Sequence, residues 1–352
     1  MIKVITNWLK RNKGTVAASR QADKPASKAH VNKGTYVTVS ELIQLQGQAR
    51  KLDLSQRSFA RASTTGSHHS RFRGRGMDYQ ESRIYQAGDD IRSMDWRVTA
   101  RAGKPHTKLY QEERERPVML LLDLSPSMFF GSKNVFKSVQ AAKVAALLGW
   151  AATLRGDRVG ALIVGNQRAI HKELPPKGGK RGALQLIREL VVQVDPQAFF
   201  QRIQDTLKKS NENALNDELQ RLRRISRPGS LIFIISDFYT INEETSNHLL
   251  RLSHHNDLIA IQILDPLELQ APPPGRYGVT DGKNTGVLNT RSKKRREKYN
   301  DFFHTHHQAV ARLMHQRNIP LIKISTADDP ASVLQKTFGT ARQRHSILSK
   351  VA

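Results

Sequence analysis

Asp123, Ser125 and Ser127 form the string Asp-Leu-Ser-Pro-Ser directly after the apolar run VMLLLD at 118–123, and Asp237 closes a second apolar run in IISDF. A tight loop carrying one carboxylate and two hydroxyls can aim three oxygens at one point, a hard ligand set suited to Mg²⁺ or Mn²⁺. A second acid from another strand end adds a direct ligand or one acting through water. An ion held by so few protein charges stays electrophilic and open to a carboxylate from a partner. The same string also serves as a helix N-cap, because Ser and Asp oxygens accept the free N–H groups of a first turn. Position favours the ligand reading, since both acids follow buried-strand patterns and so fall at one edge of a sheet.

A second cluster lies in GDDIRSMDWR at 88–97, where Asp89, Asp90 and Asp95 alternate with Arg92, Trp96 and Arg97, near Arg83 and Arg101. It reads as an ion-pair and hydrogen-bond network joining the N-terminal segment to the rest of the chain, with a direct binding role as the alternative. Asp89 and Asp90 do not make a hydrolase pair, because adjacent strand residues point to opposite faces. The histidines at 68–69, 254–255, 304 and 306–307 sit in no HExxH or Ser/His/Asp context, and no GxxxxGK[ST] loop occurs. No enzyme activity is expected, and any ATPase is a separate partner. The absence of cysteine excludes disulfides, thiolate metal sites and a cysteine nucleophile.

These residues need elements to hold them. Five apolar runs, 118–123, 158–164, 231–236, 258–264 and 319–325, read as strands buried on both faces. Helical spacing falls between and after them at 136–154, 182–193, 214–226, 242–255, 298–317 and 329–338. This alternation predicts an α/β fold with a doubly wound, mainly parallel sheet, Rossmann-like in outline, whose ligands bind beyond the carboxyl ends of the strands. A short helix is predicted within 38–54 with Ser40 as its N-cap, and 64–76 reads as a linker.

The 352-residue chain carries a net charge of +26, and residues 1–76 hold 15 Lys/Arg against three acids. Such a surface attracts polyanions, so weak contact with nucleic acid or an anionic membrane is the competing reading, without a functional metal. The densest run, RSKKRREKY at 291–299, reads as a solvated helix flank. Ile2, Ile5, Trp8 and Leu9 share a short helical face fit for weak membrane docking, with a frayed terminus as the better reading. No apolar run reaches the roughly 18 residues of a membrane span. A cytoplasmic protein, or one peripheral at the inner membrane, is expected.

DLSPSM with a Lys-bearing helix, then GDRVGALIV, then IISDF, resembles the metal-ion-dependent adhesion site of the von Willebrand factor A family. Asp123, Ser125, Ser127 and Asp237 stand at its matching positions. The block at 70–118 and the stretch from DPLELQ onward resemble a bacterial family named domain of unknown function fifty-eight. That resemblance implies a protein-binding adaptor for a MoxR-type AAA+ ATPase and a client protein. One departure stands out: the threonine ligand usual in A-domains is missing, since no Ser or Thr occurs between Thr153 and Thr206. PPKGGKRG lies where that ligand would fall, and its Lys177, Lys180 and Arg181 are expected, if they lie near the site, to oppose a metal or instead to bind a partner's carboxylate or phosphate without one. The reading divides the chain into a basic tail (1–36), an N-terminal helix with a small β-containing module (37–117), the A-like domain (118–340) and a C-terminal tail (341–352).

Overall fold

The computed structural model describes residues 34–54, 77–86, 89–112, 116–164, 171–196, 214–280 and 285–339. The expected linker at 64–76, the helical face near Trp8 and the C-terminal tail lie outside the described residues. The chain forms two compact units, 68–116 and the remainder.

The larger unit is built on a six-stranded sheet. Its strands are β3 (Pro117–Asp123), β4 (Arg158–Val164), β5 (His171–Gly178), β6 (Leu231–Ser236), β7 (Asp257–Leu264) and β10 (Leu321–Ser325). They lie in the order β10-β7-β6-β3-β4-β5, parallel except for β5, which runs antiparallel to β4. The five apolar runs are the five parallel strands. Each is apolar throughout because both sheet faces are covered: Val118, Leu120 and Leu122 of β3 point into one core, Met119 and Leu121 into the other. Fully burying each such side chain contributes about 1.5–3 kcal/mol.

Helices α4 (Lys137–Leu154) and α5 (Gly179–Val194) line the first core. The second is lined by α6 (Ala214–Ile225), α7 (Glu243–Ser253) and the C-terminal part of α9 (Lys293–Gln316). Nearly all of α4 is buried, and Gly149 lets α5 approach it: a Cβ there would stand 2.6 Å from a Leu186 methyl. Two antiparallel strands, β8 (Arg276–Thr280) and β9 (Thr285–Asn289), form a separate hairpin. Leu288 of that hairpin joins Tyr299 and Phe303 of α9 in a third, smaller apolar cluster.

Two expectations need correction. β5 is a sixth strand beyond the five predicted, and its antiparallel pairing sets Lys177 opposite Val159 and Gly178 opposite Arg158. Lys177 therefore sits at the amino end of the parallel strands, whereas Asp123 pairs with Val164 at the carboxyl end. Lys180 and Arg181, which follow in the first turn of α5, start from that same far end. This run supplies no cation to the loop.

The second correction concerns the first helix. The N-cap of α1 (Val39–Gln44) is Thr38, whose hydroxyl accepts from Glu41 N–H while Glu41 returns a bond to Thr38 N–H. Ser40 is inside the helix, because the Thr-x-x-Glu capping box satisfies two free donors where a lone Ser satisfies one. Leu42 of α1 and Ala49 of the short helix α2 (Gln46–Ala49) enter the first core and Trp150 donates to the Leu42 carbonyl at 3.1 Å, so this segment belongs to the larger unit by its contacts. Thr38→Ala is expected to lower stability by about 1 kcal/mol in denaturant unfolding.

The smaller unit pairs β1 (Met77–Ile84) with β2 (His106–Glu112) around a short helix α3 (Trp96–Ala102). Asp89 accepts from Arg83 at 2.7 Å and from Gln86 N–H, Asp90 caps a 3₁₀ turn at Arg92 N–H, and Asp95 caps α3 while accepting from Ser82. These partners lie inside the unit, so the bonds described fold the module rather than join two domains. Arg92, Trp96 and Arg97 are exposed, Trp96 at 68%.

Candidate metal centre at the sheet edge

β3 leads to β4 on one side of itself, and the later strands β6, β7 and β10 stack on the other, so the switch in direction falls between β3 and β6. The register pairs Leu122 with Ile235 and sets Asp123 beside Ser236. Asp123 Oδ2 accepts from Ser236 Oγ at 2.6 Å, and Oδ1 accepts from Ser125 N–H at 2.8 Å. Ser125 and Ser127 hydroxyls lie 3.0 Å apart. Ser125 opens the 3₁₀ turn Pro126–Met128 without a side-chain capping bond, and Phe136, the N-cap of α4, makes none either. The cap reading of the string is therefore unused, and both hydroxyls sit half-buried beside the half-buried Asp123.

Asp237 follows β6 and is buried. Phe238 after it holds φ at 57°, a left-handed conformation costly for a bulky residue, which turns the chain sharply at this point. One Asp237 oxygen accepts from Tyr239 N–H at 3.3 Å, and the other accepts from Lys137 Nζ at 2.9 Å. Ser127 also hydrogen-bonds to Asp237, so two separated chain segments meet in one cluster.

Lys137 is the first residue of α4 and is fully buried. Its ammonium also donates to Glu268 Oε1 at 2.7 Å and stands 5.4 Å from the Tyr239 ring centroid. Tyr239 in turn stacks on His306 at 4.6 Å. Glu268 lies in α8 (Pro266–Leu269), where its other oxygen accepts from Asp265 N–H in a capping box.

The electrostatics follow from this enclosure. Burial first, then the charge of Asp237, pushes the Asp123 carboxyl up to about 6. Burial works the same way on Asp237, but the Lys137 ammonium and the bonds from Ser127 and Lys137 overcome it and hold that carboxyl below its ordinary value. For Lys137, burial favours the neutral amine, and the two carboxylates override it to keep the ammonium charged. Burial lowers His306 to about 4 and His307 below its usual value, so both imidazoles are neutral near pH 7.

The four residues named from sequence, Asp123, Ser125, Ser127 and Asp237, are brought together. Lys137, Ser236 and Glu268 were missed. A lysine opening a largely apolar helix was the available signal for Lys137. For Glu268 it was Asp-Pro-Leu-Glu after a strand, the capping-box spacing.

The donor set fits a hard divalent ion in kind. It offers carboxylate and hydroxyl oxygens without nitrogen or sulfur, and two acids whose repulsion raises one of them. The carboxylates number only two here, and among the described residues no three Asp, Glu, His or Cys side chains are placed to hold a metal ion. Hydroxyls would have to complete the shell.

An open α/β sheet with a cluster of acids and hydroxyls at its switch point defines the general class of protein. The chain belongs to the family described as protein of unknown function DUF58, whose model matches residues 81–309. It is 29% identical over 289 residues to Mb1516 of Mycobacterium bovis, described as uncharacterized, covering 81% of this chain and 86% of that one. Among solved structures it is similar to an aerotolerance-related membrane protein from Bacteroides fragilis, at a TM-score of 0.41 and 14% identity over 63% of this chain and 96% of that one. It is similar too to a von Willebrand factor type A protein from Catenulispora acidiphila, at a TM-score of 0.31 and 10% identity over 66% and 43%. At these scores neither likeness carries an assignment of function.

Proposed function

We propose that this protein is a metal-assisted protein-binding module rather than an enzyme. Asp123 is the principal anionic ligand, Ser125 and Ser127 supply hydroxyl oxygens, and Asp237 acts directly or through water. A Mg²⁺ or Mn²⁺ ion at this place supplies an electrophilic position for a partner's carboxylate. The observation that carries the reading is the joining of the two segments: Ser127 reaches Asp237 while Ser236 reaches Asp123, beside half-buried hydroxyls with no capping duty. Titrating Mn²⁺ into wild type and Asp123→Ala in a calorimeter should give heat of binding in the first and none in the second. Equal heats, or none in either, defeat the metal role.

The resemblance of the 70–118 block supports the finer reading, an adaptor between a MoxR-type AAA+ ATPase and a client protein. A pull-down from host cells with wild type and Asp123→Ala side by side tests it. No helix among the described residues is long and apolar enough to cross a membrane. A cytoplasmic or peripheral inner-membrane location accords with the reading.

One observation favours a second reading, a basic surface-binding module. Arg291, Lys293, Lys294, Arg295 and Lys298 are exposed around the start of α9, on a chain of net charge +26. It requires binding to duplex DNA or anionic vesicles that weakens steeply with salt, about 0.9 log units per decade for each duplex phosphate neutralised.

A further inference from the structure

Lys137 occupies a place that physical chemistry disfavours twice over. The first turn of a helix carries the positive end of its dipole, where a cation is least welcome. Full burial adds a desolvation cost of several kcal/mol per ion in proteins generally. The compensation comes from two directions, Asp237 at 2.9 Å and Glu268 at 2.7 Å, with the Tyr239 ring standing 5.4 Å from the ammonium. Glu268 is itself held, since its second oxygen accepts from Asp265 N–H at 2.9 Å.

Asp237 is engaged at both oxygens and takes a further bond from Ser127. One accepts from the Tyr239 amide and the other from Lys137. Asp123, by contrast, bonds to the Ser125 amide and to the Ser125 and Ser236 hydroxyls, all neutral.

We infer that Lys137 is the resident cation of this site, keeping Asp237 from direct ligation of a divalent metal so that it acts through water, keeping the cluster folded without an ion and setting the metal affinity low. This rests on the reading of Asp123 and the two serines as ligands. Lys137 acts as a specificity-determining residue: it leaves the metal one carboxylate for direct contact, so a tightly held structural ion gives way to a weakly held one open to exchange with a partner.

The test compares the full-length wild type with Lys137→Met and Glu268→Gln. Each is titrated with Mn²⁺ by calorimetry and melted in chelator and in rising Mn²⁺. Lys137→Met frees Asp237, so its Mn²⁺ affinity should rise at least about tenfold. It should melt lower than wild type in chelator and recover as Mn²⁺ is added, while the wild-type melt responds much less. Glu268→Gln keeps the lysine and gives it to Asp237 alone, so its Mn²⁺ binding should weaken relative to wild type. That variant carries the test should Lys137→Met fail to fold.

Affinity in Lys137→Met equal to or below that of wild type, or, where wild type binds, Glu268→Gln binding as well as it, overturns the inference. If wild type binds and Lys137→Met binds no better, the inference fails and the proposed metal role stands. If only Lys137→Met binds, the inference holds and the metal role of the native protein falls. Silence from both removes both.

Discussion

Replacing Asp265 by alanine is expected to destabilise the protein by about 3–5 kcal/mol, because it strands three donors at once. Asp265 is fully buried at the end of β7. One oxygen accepts from Leu267 N–H at 3.0 Å, and the other takes both Ser132 N–H and the Thr326 hydroxyl at 2.8 Å. These donors come from α8, from the segment between the Asp123 loop and α4, and from the turn after β10. The carboxylate thus ties together the chain segments that flank the candidate site. Asp265→Asn still accepts at one atom and should lose less. Urea unfolding of the three proteins checks the ranking, and an alanine variant within about 1 kcal/mol of wild type would refute it.

What could be read from the sequence follows from how each residue is surrounded. The parallel strands were legible because burial on both faces writes an unbroken apolar run. β5 was not: it is an edge strand with Leu174 as its one buried residue, and Pro175 and Pro176 fall within it. Its polarity looks like a loop, and only the pairing with β4 shows otherwise. The same holds at the site. Asp123 and Asp237 were legible because they terminate apolar runs, so topology alone sends them to one edge. Lys137 was not, because its neutralising partner Glu268 lies 131 residues away, and no local pattern records a contact of that span. Sequence reasoning did expect a cation to oppose the metal, but assigned it to Lys177, Lys180 and Arg181 because the antiparallel turn of β5 was unseen.

Acidification should unfold this protein partly through His306. Burial has lowered its imidazole to about 4, against roughly 6.5 in an unfolded chain. The unfolded state therefore binds a proton that the folded state refuses, and stability falls as pH drops through the window from 6.5 to 4. Nothing is lost above that window. At pH 5 the difference amounts to about 2 kcal/mol from this one residue.

Asp123 acts with the opposite sign. Its folded carboxyl, near 6, takes up a proton before the unfolded one does near 3.8, so this group adds stability as pH falls between those values. The two windows overlap, and the wild-type profile alone does not separate them. His306→Phe does, since it keeps an aromatic ring at the 4.6 Å stack on Tyr239 and removes the titration. Between pH 7 and pH 5, wild type should lose about 2 kcal/mol more than His306→Phe in chemical denaturation, whatever the offset between them at pH 7. Parallel profiles for the two proteins would mean that His306 is not held neutral by its surroundings. The enclosure drawn around Tyr239 and Lys137 would then be open to water.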